Sequence, residues 1–133
     1  MQLHFNWLAV FVTAALGMLV PAIWYAPKLF GKAWIELSGL GEDAAKPNPA
    51  ALALAALCSL GLSFALAGFL NYLGSQTFVQ GALAGLQFWA GFTLTNMLVD
   101  YRFARRPWKL TFINAGHIAI VMSLSGGILA VWR

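Results

Sequence analysis

The chain has 133 residues, of which 61% are hydrophobic and 9% are charged, with a mean hydropathy of +0.76. A soluble domain has about a quarter of its residues charged, and a disordered chain is polar and poor in aromatic residues, so the composition excludes both classes. The single cysteine, Cys58, excludes an internal disulfide, and no Cys and His residues have the spacing of a zinc site. The composition therefore indicates an all-α protein that crosses a membrane several times.

Three stretches of the sequence lack Asp, Glu, Lys and Arg, namely residues 5–27, 47–99 and 110–132. Because a spanning helix needs about 20 apolar residues, the first and last stretches predict one span each and the middle stretch predicts two. The middle stretch turns at residues 71–77 (NYLGSQT), whose polar residues and glycine favour a loop. The single transmembrane domain, residues 1–133, thus has predicted spans at residues 5–26, 49–72, 78–100 and 109–132.

A short amphipathic segment follows the first span, at residues 28–38. On a helix drawn through it, Lys28, Lys32 and Glu36 fall on one face and apolar side chains fall on the other. Gly39 favours the end of that helix. We therefore predict an interfacial helix that lies in the plane of the lipid headgroups. Its apolar face comprises Leu29, Phe30, Ala33, Trp34, Leu37 and Leu40.

The basic residues predict the topology, since seven of the eight lie in the two connections after the first and third spans. They are Lys28, Lys32, Lys46, Arg102, Arg105, Arg106 and Lys109. The 71–77 turn has none, and Arg133 lies at the opposite end. By the positive-inside rule, both basic loops face the cytoplasm of a bacterial inner membrane and both termini lie on its non-cytoplasmic side. Topology explains the net charge of +4, and nucleic-acid binding would need a larger basic face.

Polar side chains inside the predicted spans are candidates for a functional site, because an unpaired polar group in hydrocarbon costs several kcal/mol. The candidate intramembrane site comprises Gln87, Asn96 and Asp100 of the third span with Asn114 and His117 of the fourth. Asp100 and His117 are its ionisable members. For Asp100 the alternative is an ion pair with a nearby arginine, and for His117 it is a structural hydrogen bond to Asn96 or Gln87.

A second candidate surface is an interface with anionic lipid headgroups, to which each nearby basic residue contributes about 1 kcal/mol. Its members are Lys28, Lys32, Trp34, Arg102, Arg105, Arg106 and Lys109. Two alternatives are that the second basic loop serves only as a topology signal or that it holds an anionic substrate. Four aromatic residues near the same membrane face are typical of an interfacial belt. They are Trp24, Tyr25, Tyr101 and Trp108.

Two blocks of sequence resemble a bacterial family of small four-span membrane proteins, the domain of unknown function numbered 1761. Residues 24–34 (WYAPKLFGKAW) match a WYxPxxFGxxW segment after the first helix. Residues 105–117 (RRPWKLTFINAGH) supply the second block, which ends at Asn114 and His117. The resemblance implies the four-span fold and points to residues 24–34 and 114–117 as the places to look for function. It implies no particular activity.

The function expected from these features is that of a non-enzymatic accessory component of the membrane, which binds lipid or a partner protein. The sequence has no motif of a catalytic, metal or cofactor site, so none is predicted. One alternative is an oligomeric transporter or channel for ions or small molecules. Another, by analogy of size alone, is a membrane enzyme acting on a lipophilic substrate. The third span has two polar faces, one with Gln87 and Thr95 and the other with Asn96 and Asp100. Because one of them is expected to meet another subunit, they also predict a homo-oligomer or a place in a larger complex.

Overall fold

The computed structural model describes residues 5–46 and 48–132, and within them every regular element is a helix. In chain order the helices are α1 (Trp7–Trp24), α2 (Gly31–Ser38), α3 (Pro49–Leu73), α4 (Phe78–Phe103) and α5 (Trp108–Val131). A short 3-10 turn at Glu42–Ala45 separates α2 from α3. All of these helices except α2 are long and apolar enough to cross a membrane. The predicted all-α architecture with four spans is confirmed.

Side-chain caps explain where α1, α3 and α4 begin. The side chains of Asn6 and Asn48 accept hydrogen bonds from backbone N–H groups in the first turns of α1 and α3. Thr77 and Gln80 form a reciprocal capping box at the start of α4. The largest differences from the predicted helix bounds are three residues, at the start of α2 and at the end of α4.

The helix at the centre of the bundle is α5. Eleven of its residues are buried, against four in α1 and four in α3. It packs against each of the other helices, most extensively against the first half of α4. Among the polar residues of α5, Thr111 and Ser125 are therefore buried against protein, and Asn114 and His117 are half-buried.

Glycine residues let α4 and α5 approach each other closely. A methyl group at Gly81 would collide with the carbonyl oxygen of Gly126, and one at Gly85 would collide with that of Met122. Within a membrane there is little hydrophobic force between helices, so close backbone packing of this kind supplies much of the association energy. These small residues are packing positions between helices of the same chain.

One wide π turn interrupts α4, at Trp89–Leu94. At its end, the Thr95 hydroxyl donates a hydrogen bond to the Gly91 carbonyl at 2.6 Å, and the Asn96 amide donates to the Phe92 carbonyl at 2.5 Å. Both polar side chains are exposed, yet each hydrogen bonds within its own helix. A second subunit is not needed to satisfy these donors, and the homo-oligomer stays a prediction.

The two ends of the bundle are packed differently. We call the end that carries residues 25–30, 39–46 and 104–107 the basic end. The core of buried apolar side chains, which includes Val10, Leu70 and Leu129, lies toward the opposite end. Toward the basic end, residues 49–58 of α3 are all exposed. The first half of α3 therefore packs little against other helices, and the bundle is loosest at its basic end.

Candidate functional site

A cavity of about 640 Å³ lies at the basic end, between the end of α1, α2, α4 and α5. Its wall is mostly apolar and includes Pro27, Ile35, Met97 and Ile118. The side chains with polar atoms that border it are Tyr25, Lys32, Trp34, Tyr101, Asn114 and His117. Ligand sites in proteins are commonly cavities of about 300–1,000 Å³ with apolar walls and a few placed polar groups. This cavity is the candidate site.

A hydrogen-bond network joins four of these polar side chains. The Tyr25 hydroxyl donates to Oδ1 of Asn114 at 2.6 Å, and Nδ2 of Asn114 donates to the Tyr101 hydroxyl at 3.0 Å. The Tyr25 hydroxyl also lies 3.2 Å from Nδ1 of His117. Because such bonds strengthen where water is excluded, the network ties the end of α1 to both α4 and α5 at the cavity.

The hydrogens of this network follow from its geometry. Tyr25 has one hydroxyl hydrogen, which we assign to the shorter contact with Asn114, and on that assignment Nδ1 of His117 donates to the Tyr25 oxygen. Burial, with Tyr101 as the second cause, raises the pKa of the Tyr25 hydroxyl above its ordinary value, so the hydroxyl keeps its hydrogen at neutral pH. The other imidazole nitrogen, Nε2, is then an acceptor in the neutral ring.

A tight corner after α1 places Tyr25 in the network. The backbone N–H of Gly31 donates to the Ala26 carbonyl at 3.1 Å, which folds α2 back against the end of α1. A methyl group at Gly31 would collide with the Tyr25 carbonyl oxygen, so only glycine fits this position without a shift of the backbone. The rings of Tyr25 and Trp34 then meet edge to face, 5.9 Å apart.

Two tryptophans hold α5 at the same level of the bundle. The indole N–H of Trp24 donates to the Ile113 carbonyl at 2.9 Å, and that of Trp89 donates to the Ala115 carbonyl at 2.8 Å. The two donors come from different helices, and their acceptors flank Asn114 in the sequence of α5. The position of Asn114 is therefore fixed by packing on both sides as well as by its own hydrogen bonds.

Comparison with known proteins places the chain in a family. The model of a family described as protein of unknown function, DUF1761, matches residues 8–130. The chain belongs to the DUF1761 family. The resemblance to this family is thereby confirmed, and the match includes residues 24–34 and 105–117. No curated protein and no solved structure matches the chain, so the function of this DUF1761 protein has to be argued from its cavity.

The DUF1761 structure separates the five residues predicted as one intramembrane site. Asn114 and His117 border the cavity. Gln87 and Asn96 are exposed on α4 and do not border it. The side chain that hydrogen bonds the imidazole is Tyr25, and not Asn96 or Gln87 as one alternative supposed.

Asp100 lies beside the cavity and not within it. It borders a smaller cavity of about 310 Å³, which shares Trp34, Tyr101 and Asn114 with the larger one. Among the described residues, the one ion pair joins Lys46 to Asp43, at 2.6 Å. The alternative of an ion pair between Asp100 and a neighbouring arginine is therefore absent from the described structure.

The residues predicted to face lipid headgroups fall into three groups in this DUF1761 protein. Lys32 and Trp34 border the cavity, whereas Lys28, Arg105 and Lys109 are exposed and do not border it. The exposed side chains remain available to lipid headgroups, and their binding to lipid stays a prediction.

The other two arginines of the predicted headgroup surface hold the connections together. The Arg102 guanidinium stacks over the Trp108 ring at 3.7 Å and donates to the Thr111 hydroxyl at 2.8 Å. The Arg106 guanidinium donates to the Ser38 carbonyl at 3.0 Å, which ties the end of α2 to the connection before α5. Both contacts hold the connection between α4 and α5, whose Ala104 and Arg106 border the smaller cavity.

Proposed function

We propose that this protein is a non-enzymatic binding protein for an amphipathic, lipid-like molecule, which it holds in the cavity at the basic end. The observation that carries the proposal is the composition of the cavity wall. Apolar side chains form most of it, and the network of Tyr25, Asn114, Tyr101 and His117 lies on one side. A hydrocarbon chain fits the apolar part, and a headgroup fits the polar part.

The loose packing of the basic end supports this proposal. Residues 49–58 of α3 are exposed, and on α4 Met97 is only half-buried beside the cavity. No residue of α3 borders the cavity, so a ligand dissolved in the membrane would reach it beside α4, where part of Met97 is exposed. If the basic end faces the cytoplasm, as the positive-inside rule predicts, the headgroup lies at the cytoplasmic surface of the membrane.

The positions of the polar residues on α4 bear on the transport alternative. Gln87 and Asn96 lie on an exposed surface, apart from the cavity that holds His117. A pathway lined by all three would have to be built between subunits. A flux into proteoliposomes that disappeared in Gln87→Ala or Asn96→Ala variants would favour transport over binding.

The test of the proposal fills the cavity with a larger side chain. We expect Met97→Trp to lower photolabelling by a diazirine-bearing long-chain alcohol about tenfold, because the indole occupies space that the chain needs. Labelling is measured by mass spectrometry of the purified protein in lipid nanodiscs.

Val99→Trp is the matched control, since Val99 lies on the same helix, is 55% exposed and does not border the cavity. We expect it to leave labelling unchanged. Thermal unfolding of both variants checks that they are folded. Equal labelling of the folded Met97→Trp variant and the parent protein would show that the cavity does not hold the chain.

A further inference from the structure

The polar side of the cavity has more hydrogen-bonding capacity than its internal bonds use. Tyr25, Tyr101 and the neutral His117 ring each supply one hydrogen, and the Asn114 amide supplies two. Three of these five hydrogens form the network. The second hydrogen of the Asn114 amide and the hydrogen of the Tyr101 hydroxyl take no part in the network. In the described part of the chain, Nε2 of His117 has no side-chain partner. A matching headgroup therefore accepts hydrogen bonds and also donates one.

The charge around the cavity favours an acidic headgroup. Among the described residues, Lys32 is the charged side chain that borders it. Asp100 borders the smaller cavity instead. A negative charge near the mouth of the larger cavity is therefore attracted by Lys32, while a positive one is repelled.

We propose that the ligand is a long-chain monocarboxylic acid, whose carboxyl group occupies the polar side of the cavity and whose chain lies along the apolar wall. This inference rests on the proposed function. The carboxyl carbonyl oxygen accepts hydrogen bonds from Tyr101 and Asn114, and the acidic O–H donates to Nε2 of His117. If the hydrogen passes to the ring, the O–H bond breaks and an N–H bond forms, which leaves a paired carboxylate and imidazolium.

Other common lipid headgroups match the cavity less well. A phosphodiester has no hydrogen to donate at neutral pH, and a methyl ester has none at any pH. A primary alcohol both donates and accepts, but it has no charge for Lys32 to attract. Among these only a carboxyl group meets both requirements, since it approaches Lys32 as a carboxylate and, with one hydrogen taken up from water, makes the O–H···Nε2 bond inside the cavity.

The experiment compares matched competitors. The purified protein is photolabelled with a diazirine-bearing long-chain acid in the presence of palmitic acid, hexadecanol, methyl palmitate or butyrate. We expect palmitic acid to compete at about one-tenth of the concentration that methyl palmitate needs, because it alone of the two makes the bond to His117. Hexadecanol should fall between them, and butyrate, which lacks the chain, should not compete.

Two lysine variants test the charge. Lys32→Met should reduce the preference for palmitic acid over hexadecanol about threefold, as expected for one partly solvated charge. Lys28→Met is the control, because Lys28 is exposed just before α2 but does not border the cavity.

His117→Leu should abolish the preference for acid over ester. If that variant does not fold, the two lysine variants still test the inference.

Several outcomes would overturn the inference. Equal competition by acid, alcohol and ester, equal effects of the two lysine variants, or effective competition by butyrate would each exclude a long-chain carboxylic acid as the preferred ligand. In those cases the proposed function stands, provided that Met97→Trp still blocks labelling by the long-chain alcohol. Labelling by acid and alcohol that is insensitive to Met97→Trp would overturn both.

Discussion

At the scale of single residues, Asn114 is the side chain on which the network depends. It accepts from Tyr25 and donates to Tyr101, so its removal leaves both hydroxyls without that partner. We expect Asn114→Leu to lower the free energy of unfolding by about 1–2 kcal/mol, the range of interhelical hydrogen bonds in model membrane peptides. Titration of the protein in mixed micelles with a denaturing detergent measures the change.

Asn96→Leu is the control for that substitution. Asn96 is exposed and its amide donates to a carbonyl of its own helix, so its loss breaks no contact between helices. We expect a change within about 0.5 kcal/mol, as for most surface substitutions. If Asn96→Leu destabilised the protein as much as Asn114→Leu, the network would not be a contact that holds α1, α4 and α5 together.

The residues of the site could be predicted only in part. Asn114 and His117 stand out in the sequence because polar groups in an apolar span need partners. Their partner Tyr25 does not stand out in the sequence, because a tyrosine near the end of a span is equally typical of an interfacial belt. Periodicity along one helix indicates which residues share a face, but it does not indicate which helix that face meets. The link from Tyr25 to Asn114 spans 89 positions of sequence.

At the scale of the single helix, two glycines of α4 differ in how much space surrounds them. A methyl group at Gly85 would collide with the Met122 carbonyl, whereas one at Gly91 would meet nothing within 4 Å. We expect Gly85→Ala to destabilise the protein by about 1–3 kcal/mol, because α4 and α5 must move apart. Thermal unfolding in detergent measures it.

Gly91→Ala should instead be neutral or stabilise the fold by up to about 1 kcal/mol, since alanine is the better helix former. Equal destabilisation by both substitutions would mean that helix propensity, and not the contact with α5, decides the effect. The GxxxG spacing of Gly81 and Gly85 is typical of glycines that pack against a neighbouring helix. It did not indicate the π turn, whose hydrogen bonds leave no periodic signature in the residue types.

At the scale of the whole molecule, the distribution of charge predicts which way the bundle sits in the membrane. In a Cys58→Ser background, we expect a membrane-impermeant maleimide to label Gln76→Cys in intact cells. Ala104→Cys, in the connection at the basic end, should react only after permeabilisation. Both positions are exposed, and neither substitution changes the charge. The reverse pattern would place the basic loops outside the cytoplasm.

The number of spans was predictable from the sequence, because charged side chains are excluded from hydrocarbon and so mark the connections. The loose packing at the basic end was not predictable from the sequence, since residues 49–58 are as apolar as those of the buried half of α3. An apolar side chain in a membrane protein can face lipid or protein at similar cost. Composition therefore gives the spans but not the cavity between them.

The separation between the buried core and the cavity has a consequence for how such a protein can change over time. Most side chains of the main apolar core, such as Val10, Leu70 and Leu129, lie toward one end, and the cavity lies toward the other, with Ile118 packed against the core and bordering the cavity. Substitutions that alter the shape of the cavity therefore leave most of the stabilising contacts intact. A bundle built in this way can acquire a new ligand preference by drift at one end while selection for folding acts on the other.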